Sequence, residues 1–161
     1  GLRRAALAPT IPTAKGKAVL IDCGANAECT VEYLLQFAYL GSYYAQKVLG
    51  VENPRIGLLN IGAEESKGDT LRRETYQKLK EAGEALLLKG QLGDFKKMLD
   101  ANEVGGTALL GISKPVVKAH GSASEVGICN AVRQAMEVAR SGIIDDIAQN
   151  IDKMRIEQKA E

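Results

Sequence analysis

Apolar positions recur along this chain with two periods, and the switches between them mark its elements. Residues 17–23 follow Gly16 as a short aliphatic run, Lys17-Ala18-Val19-Leu20-Ile21-Asp22-Cys23, the pattern of a strand, and stop at the turn Gly24-Ala25-Asn26. A helical period takes over in residues 30–49, where Val31, Leu34, Leu35, Ala38, Ala45, Val48 and Leu49 form one stripe. Thr30 is its expected N-cap and Gly50 its stop. Tyr33, Phe37, Leu40 and Tyr44 form a second stripe on an adjoining face, with Tyr39 and Tyr43 close by. A helix apolar on two faces must be covered on both, by a subunit interface or by another element of this chain. Residues 56–61 are aliphatic and too short for a typical helix, which predicts a strand buried on both faces of a parallel sheet. Residues 70–82 return to helical spacing through Leu71, Thr75, Leu79 and Ala82, and Gly83 is their expected end. This strand, helix, strand, helix order predicts right-handed crossovers and an α/β fold with a mainly parallel sheet.

The alternation then breaks. Residues 84–100 are again helical in character, setting Leu86, Leu87, Leu88, Leu92, Phe95, Met98 and Leu99 against Lys89, Lys96 and Lys97, with no strand before them. Such a pattern suits a core-facing or dimer-facing helix, or one lying on an anionic membrane surface. Residues 5–13 carry Pro9 and Pro12 and are expected to be a lead-in loop or edge segment. Residues 107–112 and 115–119 are two short apolar runs, expected to pair as strands, that lead to His120-Gly121-Ser122. Ser122 and Glu125 have capping-box spacing, and Ile128, Cys129, Val132, Ala135, Met136 and Ala139 are the expected buried stripe of the helix that follows. Gly142 should end it, and Ile143, Ile144, Ile147, Ile151 and Met154 mark a last helix.

At 161 residues the chain is long enough for one domain with a real core. Its 21 Lys and Arg balance 20 Asp and Glu, so no basic field exists to attract nucleic acid. No apolar run approaches a membrane span, and Gly1-Leu2-Arg3-Arg4 lacks the apolar centre of a signal peptide, which predicts a soluble, cytoplasmic protein. The 3 cysteines, Cys23, Cys29 and Cys129, show neither metal-ligand nor CxxC spacing and are expected to be reduced, mostly buried side chains.

Candidate chemistry collects where residues 56–61 give way to a charged, glycine-bracketed loop, Gly62-Ala63-Glu64-Glu65-Ser66-Lys67-Gly68. Beyond the carboxyl end of a strand, loop amides and the next helix's N-terminus favour anions, and a lysine there can meet a phosphate. A solvated surface turn is the plain alternative. The first strand ends in a similar polar turn at Asn26.

Four segments in order, Ala8-Pro9-Thr10-Ile11-Pro12-Thr13, Ile21-Asp22-Cys23-Gly24-Ala25-Asn26, Gly57 through Gly68, and Lys118-Ala119-His120-Gly121-Ser122, resemble the bacterial phosphate acyltransferases of the PlsX family. The likeness runs over residues 5–139 and extends to Leu35-Gln36-Phe37-Ala38, Asn53-Pro54-Arg55 and Asn130-Ala131-Val132-Arg133-Gln134-Ala135. It implies a three-layer α/β/α sandwich, a homodimer, and loose attachment to the inner membrane face. It implies transfer of a fatty acyl group from acyl carrier protein to inorganic phosphate, giving acyl phosphate for phospholipid synthesis. The chain departs from that family in length: a portion ahead of residue 5 and a segment between Gly83 and Glu84, with a strand and an Asp-Gly-Phe-x-Gly-Asn loop, have no counterpart here. Asp69 stands where the family often has Asn, and Ala123 where a second Ser is usual. A single domain, incomplete at its start and near residues 83–84, is the expectation.

Attack of phosphate on a thioester needs no enzyme nucleophile; it needs two anions held together and a stabilised oxyanion. Lys67 is the expected catalytic cation, with backbone N–H groups around Gly62 and Gly68 and with Asn26 and Asn60 as neutral donors. Glu64 and Glu65 would hold Lys67 or bind a metal that nothing else announces; no cofactor is expected. His120, the only histidine, would protonate the leaving thiolate or line the phosphate site beside Gly121 and Ser122, unless the turn merely caps a helix. Arg72, Arg73 and Lys80 could attract an acidic carrier protein. A catalytically inactive remnant that binds carrier protein, membrane or an intact paralogue is the competing reading. A dinucleotide-dependent dehydrogenase is disfavoured because no GxGxxG follows the first strand.

Overall fold

The structure is a computed structural model that describes residues 2–13, 16–61, 67–82, 85–89 (backbone) and 106–154. The elements are β1 (Ala6–Ala8), β2 (Thr10–Thr13), β3 (Gly16–Val19), α1 (Val31–Lys47), β4 (Ile56–Asn60), α2 (Thr70–Glu81), β5 (Ala85–Lys89), β6 (Thr107–Leu110), β7 (Val117–Lys118), α3 (Glu125–Arg140) and α4 (Ile143–Gln149), then a 3₁₀ turn (Ile151–Met154).

The expected three-layer sandwich around a mainly parallel sheet is not what the described residues form. Their strands make three small sheets, of which β1-β6-β7 and the β2-β3 hairpin are antiparallel. The parallel pairing among them is β4 with β5, Ile56 opposite Ala85 through Asn60 opposite Lys89. Parallel strands need a crossover, whereas antiparallel ones need only a tight turn. The strand expected over residues 17–23 takes the local option, folding back so that Thr10 faces Val19 and Thr13 faces Gly16. Thus β3, α1 and β4 do not form the crossover the alternation predicted, and residues 5–13 are two short strands parted by Pro9. Residues 85–89, expected to be helical, are the strand β5; the rest of that expected helix, with Leu92, Phe95, Met98 and Leu99, lies outside the described residues.

Helix α1 organises the interior. Thr30 caps it as expected, its side chain accepting from the Tyr33 N–H. Phe37, Leu40 and Tyr44 turn one face into a core with Ala6, Ala8, Ala108 and Leu110 of the antiparallel sheet and Val138, Ile143, Ile147 and Met154 of the carboxyl-terminal elements. Leu35 and Ala38 turn another face toward Leu79 of α2, with Ile56 and Leu58 of β4 packed against them. The second stripe is therefore covered by this chain itself. Between the faces, buried Gln36 accepts from the Arg3 N–H at 2.9 Å and donates to the Met154 carbonyl at 3.3 Å, tying the segment before β1 and the 3₁₀ turn to the helix.

Helix α3 departs from expectation. Its N-cap is Ser124, accepting from the Gly127 N–H, and not Ser122. Gly127, Ala131 and Val138 are its buried positions, while Val126, Ile128, Cys129, Val132 and Met136, most of them in the expected inner stripe, face outward. Small residues carry the contact because the neighbours come close: a Cβ added at Gly106 would stand 2.5 Å from Val117 and 3.0 Å from Ala131. Among the described residues no helix is long and apolar enough to cross a membrane.

Candidate functional site: the Lys67, Asn26 and His120 turns

Strand β4 ends in Asn60, and the chain comes back into the described structure at Lys67, just ahead of α2. Lys67 is exposed. The buried Asn60 side chain accepts from the Ile61 N–H at 2.8 Å and donates to the Lys67 carbonyl at 2.9 Å. Gly68 has φ +89°, and a Cβ there would lie 2.4 Å from the Asn60 Oδ1. Asp69 caps α2 by accepting from the Arg72 N–H at 2.9 Å, and its carboxylate ion-pairs with the Arg72 guanidinium. Lys67 therefore sits between two anchored points, at the carboxyl end of a strand of the parallel pair and near a helix N-terminus. Gly62, Glu64 and Glu65 lie outside the described residues, so the proposed glutamate partners of the lysine have no geometry here.

The Asn26 turn is built by a residue to which the sequence reading assigned no role. The Asp22 carboxylate accepts from the Leu7 N–H at 2.8 Å, the Ala25 N–H at 3.3 Å, and both the backbone N–H and the side-chain amide of Asn26 at 2.8 and 2.9 Å. The same Asn26 amide also donates to the Ala5 carbonyl at 2.9 Å, so it is engaged both within the turn and to the segment leading into β1. An aspartate two residues before a glycine and four before an asparagine is a turn-building pattern that could have pointed to this. Burial, and next the Asp22 charge, push the Cys23 and Cys29 thiols above the ordinary cysteine value, so both stay protonated to higher pH. The described cysteines are all free; Cys23 and Cys29 are partly buried and Cys129 is exposed.

His120 is exposed at the turn after β7. Its Nδ1 lies 2.8 Å from the Ser122 Oγ and accepts the Ser122 backbone N–H at 3.3 Å. A backbone N–H can only donate, so the neutral ring carries its proton on Nε2, a suitable hydrogen-bond donor. Gly121 is exposed, with open space where a side chain would stand.

Strand registers place two of these turns. Asn26 is bonded to Ala5, next to the Ala6 that pairs with Leu110, whereas His120 leaves β7 beyond Lys118, which pairs with Thr107 at the other end of β6. At about 3.3 Å per residue, that length of strand separates the Asn26 and His120 turns on opposite ends of the antiparallel sheet. The hydrogen bonds described for the Lys67 turn are all made within it and to α2. Of the basic residues expected to meet an acidic partner, Arg72 is paired with Asp69, and Lys80 stands over the Tyr76 ring at 5.9 Å. Among the described residues no cluster of three His, Cys, Asp or Glu could hold a metal ion.

The sequence profile of the family described as fatty acid synthesis protein matches residues 1–84 and 78–146. The chain belongs to that family. Relatives named phosphate acyltransferase are similar to it nearly end to end: one from Anoxybacillus flavithermus is 34% identical over 213 residues, covering 96% of this chain and 65% of the relative. One from Listeria innocua is 34% identical over 215 residues, with 97% and 64% covered. One from Bacillus licheniformis is 35% identical over 219 residues, with 100% and 65% covered. The chain thus spans about 65% of the length of the relatives it matches.

Proposed function

We propose that this chain transfers a fatty acyl group from acyl carrier protein to inorganic phosphate, giving an acyl phosphate for phospholipid synthesis. A phosphate oxygen attacks the thioester carbonyl carbon, the C–S bond breaks, and the carrier's thiolate leaves and takes up a proton. Lys67 binds the phosphate or the developing oxyanion. The observation that carries this role is its placement: an exposed ammonium group beyond the carboxyl end of β4, on a turn whose two ends are joined through Asn60. The names of the relatives support the reaction class. Gly62, Gly68, Glu64 and Glu65 complete the proposed phosphate loop, and His120, with Gly121 and Ser122 beside it, is the proposed proton donor to the leaving thiolate. A cytoplasmic homodimer that touches the inner membrane face is part of the same reading and rests on the sequence resemblance alone.

We also infer that relatives carry an internal segment near residues 83–84 that this chain does not. The two matched pieces of the family profile meet and overlap at residues 78–84, which supports this. So do aligned stretches of 213 to 219 residues, longer than the chain's own 161.

The deciding experiment is acyl phosphate formation from acyl carrier protein thioester and phosphate. Lys67→Ala should lower the rate by roughly 10² to 10³. A rate untouched by that substitution removes Lys67 from the mechanism, and no product from the unsubstituted chain rejects the function. The second reading, an inactive remnant acting as a binding module, is favoured by the Asn26 and His120 turns leaving opposite ends of one sheet. It predicts carrier-protein binding without turnover.

A further inference from the structure

We propose that Asn60 is a positioning residue: its amide latches the Lys67 turn from inside and sets where the ammonium group stands, instead of contacting phosphate. This rests on the reading of Lys67 as the anion-binding cation. Asn60 is only 7% exposed, the last residue of β4. One planar group there does two jobs, accepting the N–H of the residue that leaves the strand, Ile61, and donating to the carbonyl of the residue that returns, Lys67. Only an amide offers an acceptor and a donor in that fork; an aspartate keeps the first and sets a lone pair against the Lys67 carbonyl in place of the second.

The returning chain is packed onto the same amide. Gly68 lies so close that a Cβ would meet the Asn60 Oδ1 at 2.4 Å, its Cγ at 3.1 Å and the Arg72 Cβ at 3.1 Å, and its φ of +89° is one that side-chain-bearing residues rarely adopt. On the far side, the Asp69 cap holds the start of α2. The backbone of Lys67 is thus fixed from β4 through Asn60 and from α2 through Asp69, while its side chain stays in solvent. A buried donor already committed to a backbone carbonyl is a poor choice for a substrate contact and a good one for a latch.

Limited trypsin digestion of the full 161-residue chain tests this without any activity. The carbonyl that Asn60 holds belongs to the Lys67–Gly68 peptide bond, which trypsin would cut, and cleavage requires that bond to open from the fold. Asn60→Asp should speed cleavage after Lys67 roughly tenfold, with cleavage after Lys118, on the antiparallel sheet, unchanged. Gly68→Ala should give the same selective increase by forcing the amide aside, and it decides the matter if the aspartate variant does not fold. Cleavage after Lys67 that stays at the parent rate, or that rises equally after Lys118, overturns the latch.

Kinetics then separate a latch from a ligand. Asn60→Asp should raise KM for phosphate in the parent but change a Lys67→Ala background by less than about twofold, since non-additivity marks residues that act through one another. A full, additive loss in both backgrounds makes Asn60 a direct phosphate donor and overturns the proposal. If the unsubstituted chain yields no acyl phosphate, the proposed function fails while the cleavage pattern still decides the latch.

Discussion

Helices α1 and α3 are of similar length and both carry strong apolar periodicity, yet the fold treats them in opposite ways. Helix α1 is covered on two faces, with Phe37, Leu40 and Tyr44 in one core and Leu35 and Ala38 in another. Helix α3 packs through Gly127, Ala131 and Val138, and leaves Val126, Ile128, Val132 and Met136 in solvent. Periodicity reports that a helix has an apolar face, but whether that face is buried depends on what the rest of the chain brings to it. Around α1 strands of all three sheets and α2 converge; α3 meets β6 and β7 along its small residues, where Gly106 lets the backbones approach.

The difference can be broken at its strong end first. Phe37→Ala removes a side chain only 1% exposed from the larger core and should cost about 3 to 5 kcal/mol in urea unfolding. A cost below about 1 kcal/mol would mean that α1 is not the interior element described here. A smaller effect compares the caps, because Thr30 and Ser124 do the same job on the two helices. Replacing either by Ala should cost about 1 kcal/mol. A loss at Thr30 with none at Ser124 would say that α3 is held by its packing alone. The smallest effect is expected on the open face: Val132→Ser, at a position 56% exposed, should change stability by less than about 0.5 kcal/mol at any protein concentration. A larger loss that grows with concentration would show a second copy covering α3 in solution.

Much of the local structure was legible in the chain. Thr30 as a cap, Gly142 at the end of α3 with φ +71°, the pairing of the two runs after residue 106, and the helix after Lys67 all follow from residue type and spacing. Strand partners were not legible. Residues 17–23 have the composition of a strand in either kind of sheet, and only the return of Thr10–Thr13 onto Gly16–Val19 decides for a hairpin. The same holds at the site. Lys67 stands out by its place in a charged, glycine-bracketed loop, but Asp22, which binds three N–H groups of its turn and the Leu7 N–H of β1, carried no distinguishing mark beyond a turn pattern. For Asn60, a sequence shows that an amide is present, not that one of its N–H groups meets the Lys67 carbonyl.

The amino-acid order alone determined helix α1 with its Thr30 cap, the helices after Lys67 and after Ser124, and the kinship with the fatty acid synthesis family, since each is set by neighbours a few residues apart or by motifs in series. The tertiary structure decided which strands pair, which apolar stripe is buried, and that the Asn26 and His120 turns part to opposite ends of a sheet. Those outcomes depend on contacts between residues far apart in the chain. Hydrophobic burial is non-directional, so a stripe of apolar side chains does not name the surface that will cover it.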